Sequence, residues 1–285
     1  MQRRDFLQIS STGIILASAA PSLEAFDTFL KEDEEQSLHL LQEEACADAL
    51  IDKSFLLPRA DDIIASAKEY KVLYSLYKRL YRLQRVVGYA HFNVINFDTA
   101  IKTAKWYRKI GPFPKDEIDY FEELFYETAQ NYGFYGEKVI VSMTNSIKKR
   151  ELVKVRHSGH YLFKGDSLNK YNEIRKVMGN KVVLTSGVRN IVKQTYLFLN
   201  KVVKSKGNLS IASRSLAPAG YSYHGISDFD IGKVGFGARN FTSQFAKTNE
   251  FKSLTKMGYI NIRYPKNNPF GVRYEPWHIK VYSDA

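Results

Sequence analysis

Along the first half of the chain, apolar residues recur three and four positions apart, the spacing that lines one face of an α-helix. The pattern runs through Leu38 and Leu41, then through Ile63, Ile64, Ala67, Tyr70, Leu73, Leu76 and Tyr77, and again through Ile118, Phe121, Leu124 and Phe125. Pro58, Gly88 and the Gly111-Pro112…Pro114 cluster punctuate these runs as helix ends. About four helices are therefore expected between residues 28 and 135. Beyond residue 150 the period changes. Lys181-Val182-Val183-Leu184-Thr185 and Tyr259-Ile260-Asn261-Ile262-Arg263-Tyr264 read as strands, with helical stretches over 168–178 and 190–203. The expected class is α+β, with a helical N-terminal domain over 23–150 and a domain with a mostly antiparallel sheet over 151–285. There is no internal repeat, and the acidic stretch Glu32-Asp33-Glu34-Glu35 reads as a solvated helix start.

The first residues form a separate segment. Arg3-Arg4-Asp5-Phe6-Leu7 precedes the apolar run Gly13-Ile14-Ile15-Leu16-Ala17, and Ala17-Ser18-Ala19 offers a small-residue cleavage site. Residues 1–22 are expected to be an export signal, of twin-arginine type from the paired arginines, with a Sec signal or a retained anchor as the alternatives. The apolar run is too short to span a bilayer. The expected location is periplasmic or extracytoplasmic, with no stable membrane insertion once the signal is removed.

Composition narrows the partners. With 42 basic against 30 acidic residues, a net charge of +12, the chain is attracted to polyanions at long range. No nucleic-acid-binding motif interrupts it, and the tyrosines and phenylalanines fall mostly at helical spacing beside Leu and Ile, so nucleic acid is not expected as a partner. Cys46 is the only cysteine. It allows no intramolecular disulfide and reads as a small buried hydrophobe. The oligomeric state is not legible.

The chemistry gathers near the end. Tyr274-Glu275-Pro276-Trp277-His278 places a carboxylate and an imidazole beside a bulky aromatic. Ser222-Tyr223-His224-Gly225-Ile226-Ser227-Asp228-Phe229-Asp230 adds a second histidine and a choice of two aspartates. Two neutral nitrogen donors and one carboxylate make a three-ligand zinc site with its fourth position open to water, and a further glutamate can handle the proton. Of the other histidines, His39 lies in a Glu-rich helical stretch and His91 beside aromatics, so both read as structural or surface positions. His157 and His160 could mimic a ligand pair, but no carboxylate or motif supports them.

The pattern Ser-x-His, then Asp, then Glu-x-Trp-His about fifty residues on resembles the zinc peptidases that include D-alanyl-D-alanine carboxypeptidases, lysostaphin-type enzymes and the hedgehog fold. Ser186-Gly187-Val188-Arg189 with Gln194, and Gly258-Tyr259-Ile260…Arg263-Tyr264-Pro265, are similar to segments of the VanY-type D,D-carboxypeptidase branch. The resemblance covers roughly residues 155 to 283. It departs from the family where five residues, not six, separate His224 from Asp230, and where Ser227 replaces the usual glycine.

The resemblance implies a hedgehog/D,D-peptidase-like domain and zinc held by His224, Asp230 and His278. Asp230 is preferred because Phe229-Asp230-Ile231 reproduces the apolar-Asp-apolar ending of the motif, and Asp228 is the alternative. Glu275 would be the general base and then the acid. Arg189 would read a terminal carboxylate or stabilise the oxyanion, and Gln194, Ser222 and Trp277 would surround the substrate. The implied substrate is the peptidoglycan stem peptide, cut at its terminal D-Ala-D-Ala bond. L,D-carboxypeptidase or D,D-endopeptidase activity are the alternatives within the class, and a catalytically idle peptidoglycan-binding scaffold is the alternative outside it.

Overall fold

A computed structural model describes residues 53–281. The expected export segment, the Leu38/Leu41 pair, His39, Cys46 and the acidic stretch lie outside the described residues. After a 3-10 turn, Lys53–Leu56, the first helix, α1, spans Ala67–Val87. It starts at Ser66 because a capping box fixes it there: the Ser66 side chain accepts from Glu69 N–H, and the Glu69 carboxylate accepts from Ser66 N–H at 2.7 Å. Ile63 and Ile64, expected within the helix, therefore stand before it and are exposed. Leu73, Leu76, Leu80 and Leu83 form its buried stripe, and Gly88 ends it at a φ of 81°.

Three more helices follow: α2 over Tyr89–Phe92, α3 over Phe97–Trp106 capped by Asn96, and α4 over Lys115–Tyr126 preceded by Pro114. A buried ion pair ties α1 to α4, with Arg79 Nε donating to Glu117 Oε2 at 2.5 Å and Nη2 to Oε1 at 3.0 Å. Two parallel bonds between planar groups fix direction as well as distance.

Strands β1, Leu152–Lys154, and β2, Tyr161–Phe163, form a small antiparallel pair. Then come α5 over Asp166–Met178, β3 over Val182–Ser186, α6 over Ile191–Lys204, α7 over Leu209–Ser213, β4 over Phe229–Lys233, α8 over Asn249–Lys256, β5 over Ile262–Tyr264 and β6 over Glu275–Ile279. The second expected strand is thus shorter than its apolar pattern suggested, because the chain from Tyr259 is still leaving the turn after α8. The main sheet has the order β3-β4-β6-β5 with every pair antiparallel.

Two of the three buried clusters among the described residues support this arrangement. One is built from α1, α3 and α4 together with Ile191, Val192, Tyr196, Phe198, Leu199 and Val202 of α6. The other packs one face of the sheet, through Leu184, Phe229, Ile231, Trp277 and Ile279, against Tyr171 and Ile174 of α5 and Leu254 of α8. The opposite face of β4 and β6 carries Asp230 and His278, which pair directly across the ladder.

Candidate metal centre

His224 enters from a 3-10 turn, Tyr223–Gly225, that is pinned to the loop after β3. The Arg189 N–H donates to the His224 carbonyl at 3.1 Å, and the His224 ring donates from Nδ1 to the Gly187 carbonyl at 2.8 Å. A carbonyl can only accept, so Nδ1 holds the proton and Nε2 keeps its lone pair. Gly187 is required sterically. A Cβ there would stand 2.0 Å from the Tyr161 carbonyl oxygen, and only a residue without one lets the backbone pass so close.

The extended chain running from Asp228 into β4 supplies two carboxylates. Side chains two apart on a strand share a face, so Asp228 and Asp230 both point towards His278. Asp230 Oδ1 lies 3.2 Å from His224 Nε2 and 3.6 Å from His278 Nδ1. One ligand atom from each of His224, Asp230 and His278 lies within 4.8 Å of the others, and all three residues are buried. His224 Nε2 and Asp230 Oδ1 have no hydrogen-bond partner. Burying such atoms is costly unless something bridges them. Two imidazole nitrogens and a carboxylate oxygen converging on one point fit a metal ion of zinc's preferences.

Asp228 has a different place. Its Oδ2 accepts from His278 Nε2 at 3.2 Å and from Arg263 Nε at 2.8 Å, while Oδ1 accepts from the Val281 N–H at 2.9 Å. Arg263 in turn lies over the Tyr223 ring, 3.6 Å from its centroid. Burial alone would raise the Asp228 carboxyl, but His278 and Arg263 hold it well below the usual carboxylate range. Asp230 is depressed likewise, its burial outweighed by His224 and Arg189. Burial would lower the His278 imidazole, yet hydrogen bonds to Asp228 and Glu275 and the nearby carboxylate charges push it up to about 9. His224 moves the other way, lowered by burial and by the Arg189 charge.

Glu275 reaches the same place because β6 is irregular. Residues three apart on a regular strand face opposite ways, but Glu275 Oε2 lies 3.5 Å from His278 Nδ1. The β5–β6 register shifts between Ile262 and Tyr264. Pro276, which has no N–H for a ladder bond, sits in that irregular stretch. β6 nevertheless runs through Pro276, from Glu275 to Ile279.

Arg189 donates from Nη2 to Asp230 Oδ2 at 2.6 Å and from Nε to Ser186 Oγ at 2.8 Å. It lines a cavity of about 570 Å³ together with Asp230, Glu275, Trp277 and His278. Lys193, Lys201, Lys233 and Arg273 add further positive charge to its wall. Gln194 and Ser222, expected beside the substrate, are not among the residues lining this cavity. Gln194 is buried on the core side of α6, donating to the Ala217 carbonyl at 2.6 Å. Ser222 is buried just before the His224 turn.

Two features escape the sequence reading, Arg273 and the Gly187 carbonyl, whereas His160 reads from the sequence as standing outside the metal site. Arg273 lies with its guanidinium 4.8 Å from the Trp277 ring and its Nε 3.7 Å from Glu275 Oε1. His160 is a buried wall residue whose ring meets Tyr89 edge-on, pushed down to about 3 by burial and by the Lys193 and Arg189 charges. It is therefore a neutral wall group and not part of the metal cluster. The carbonyl of Gly187 has no side chain to announce it, and only its position in the Ser-Gly-Val-Arg segment could have pointed there.

Residues 166–284 match the family model described as VanY, D-alanyl-D-alanine carboxypeptidase. No curated protein matches the chain. Among solved structures, the chain is similar to a variant of the vancomycin resistance D,D-pentapeptidase VanY from a VanB-type resistance cassette in complex with Zn(II), with 23% identity, 46% of this chain and 78% of that one covered, and a TM-score of 0.35. It is also similar to VanYB in complex with D-alanine-D-alanine, with 25% identity, 50% and 86% covered, and a TM-score of 0.35. A third is the D,D-dipeptidase VanXYg with a D-Ala-D-Ala phosphinate analogue, at 18% identity, 56% and 64% covered, and a TM-score of 0.36. The family match runs from the start of α5 through β6 and takes in every residue of the metal cluster, and over these residues the chain is similar to the VanY-type D,D-peptidases.

Proposed function

We propose that the protein is a zinc-dependent peptidoglycan carboxypeptidase that hydrolyses the terminal D-Ala-D-Ala bond of stem peptides outside the cytoplasm. The observation that carries this reading is the convergence of His224 Nε2, Asp230 Oδ1 and His278 Nδ1, with Glu275 and Arg189 on the same cavity wall. When bound, zinc supplies Lewis acidity and lowers the pKa of water from 15.7 to about 7.

Glu275 Oε2 is on the side of His278 that faces the cluster, so this carboxylate takes the proton of the attacking water and returns it to the leaving amine. Positioned transfer of this kind contributes about 10² to 10⁴-fold. Arg189 holds Asp230 through one nitrogen while its guanidinium lines the cavity, where it offers the fork that a terminal carboxylate accepts. Lys193, Lys201 and Lys233 bias the same cavity towards an anionic substrate. Asp228 and the Gly187 carbonyl keep both imidazoles turned so that the nitrogens facing the cluster are the ones free of their anchoring bonds.

The test is incubation of the zinc-loaded protein with a pentapeptide stem as free acid and as C-terminal amide, with products identified by mass. Release of one D-alanine from the free acid and none from the amide is expected, and Arg189→Lys should weaken cleavage of the free acid. Equal cleavage of both stems, or cleavage of crosslinked dimers alone, would replace the carboxypeptidase reading with an endopeptidase. Binding without any cleavage would leave a scaffold.

A further inference from the structure

The end of α3 presents a surface that the peptidase reading does not use. Lys102, Lys105, Trp106, Tyr107, Arg108 and Lys109 are all exposed, Trp106 to 85% and Tyr107 to 54%. No carboxylate occurs between Asp98 and Asp116. The exposure belongs to a held turn. The Tyr107 carbonyl accepts from the Ile110 and Gly111 N–H groups at 2.9 and 3.1 Å, and buried Ile110 is clamped by its own carbonyl, which accepts from Arg79 Nη1 at 2.9 Å and from Arg82. An indole and a phenol ring exposed side by side among four cations form an apolar patch with a basic rim, the kind of surface that marks an interaction site.

We propose that this Lys102–Lys109 knuckle docks the protein peripherally on an anionic phospholipid bilayer. The four cations complement a surface of lipid phosphates, at long range and in a salt-dependent way. The two rings distinguish a bilayer from a soluble polyanion. Tryptophan and tyrosine settle at the headgroup level of a membrane, apolar body inward and polar edge in water, whereas a hydrated polyphosphate gains little from them. Among the described residues no helix is long and apolar enough to cross a membrane, so the contact is a surface one.

The chain makes this measurable, because of its two tryptophans Trp277 is 3% exposed. A blue shift in emission on adding vesicles therefore reports Trp106. The full-length, zinc-loaded protein should sediment with vesicles of equal parts phosphatidylglycerol and phosphatidylcholine, shift its emission, and be released by salt. Trp106→Ala should abolish the shift and weaken binding. Reversing all four cations to glutamate should weaken it about tenfold or more. Both variants should hydrolyse a soluble stem peptide as the wild type does, which serves as the folding control. The proposal fails if the wild type does not sediment, or binds pure phosphatidylcholine equally. It also fails if Trp106→Ala binds unchanged, or if soluble polyphosphate binds as tightly as the vesicles with no emission shift.

Discussion

Asp228 Oδ2 accepts from Nε2 of His278 at 3.2 Å, on the opposite side of the ring from the metal cluster. The interaction fixes the ring's orientation and leaves Nδ1 towards Asp230, so Asp228 acts on the cluster without joining it. Removing such an outer partner typically costs 10 to 100-fold in metal affinity. Asp228→Ala also leaves Arg263 buried with its principal carboxylate gone, a loss of about 3–5 kcal/mol. Zinc titration and thermal melting should therefore both register Asp228→Ala, whereas Asp230→Ala should lose the metal outright with a smaller effect on the zinc-free fold. Equal zinc affinity in wild type and Asp228→Ala would remove this role.

Metal binding should depend on pH through His278. Its ring is held at about 9 without metal, so binding at Nδ1 must displace a proton. Apparent zinc affinity should rise about tenfold per pH unit from neutrality to about 9 and then level off. Folding of the zinc-free protein should move the other way. A pKa raised above the unfolded value of 6.5 contributes stability that is fully present below 6.5 and lost as pH rises through 9, on the order of 3 kcal/mol. Proton release measured by calorimetry in two buffers, with melting of the zinc-free protein across this window, tests both signs.

Glu275→Gln preserves size and removes the proton acceptor. Zinc content should persist while turnover falls by about 10² or more. Single-turnover hydrolysis with metal content measured on the same sample decides it, and near-normal turnover would exclude Glu275 from proton transfer.

Gly187→Ala tests the backbone anchor of His224. The new Cβ would meet the Tyr161 carbonyl at 2.0 Å, so the strand or loop must move and the Gly187 carbonyl with it. A stability loss of about 1–3 kcal/mol is expected, with weakened zinc binding. Unchanged zinc affinity in a folded Gly187→Ala protein would show that another group sets the His224 tautomer.

The helices were legible where the period ran against good end signals, as in Leu73, Leu76 and Leu80, and at Gly88. The residues that meet at the cluster were legible from motif and residue chemistry. What the pattern could not give was division of labour. Asp228 and Asp230 are the same residue type two positions apart on one face, and only the ladder register of β4 with β6 decides which nitrogen of His278 each approaches. Gln194 sits in a segment similar to the family's, yet its turn of α6 points it into the core. Pro276 lies inside β6 beside a register shift with β5, and that shift is a tertiary event.

α6 faces two ways. Its Tyr196 and Leu199 close the core beneath α1, while Lys193, Leu197 and Lys201 wall the cavity, joined there by Tyr89 at the start of α2 and by His160. Part of the reaction chamber is therefore made by residues upstream of the segment that carries the family pattern. A chimera that grafted 166–284 onto a foreign support would inherit the metal ligands and lose that far wall. On the proposed reading, selectivity for what lies beyond the scissile bond would draw on Tyr89 and His160 as well, and that wall is where it could be re-engineered.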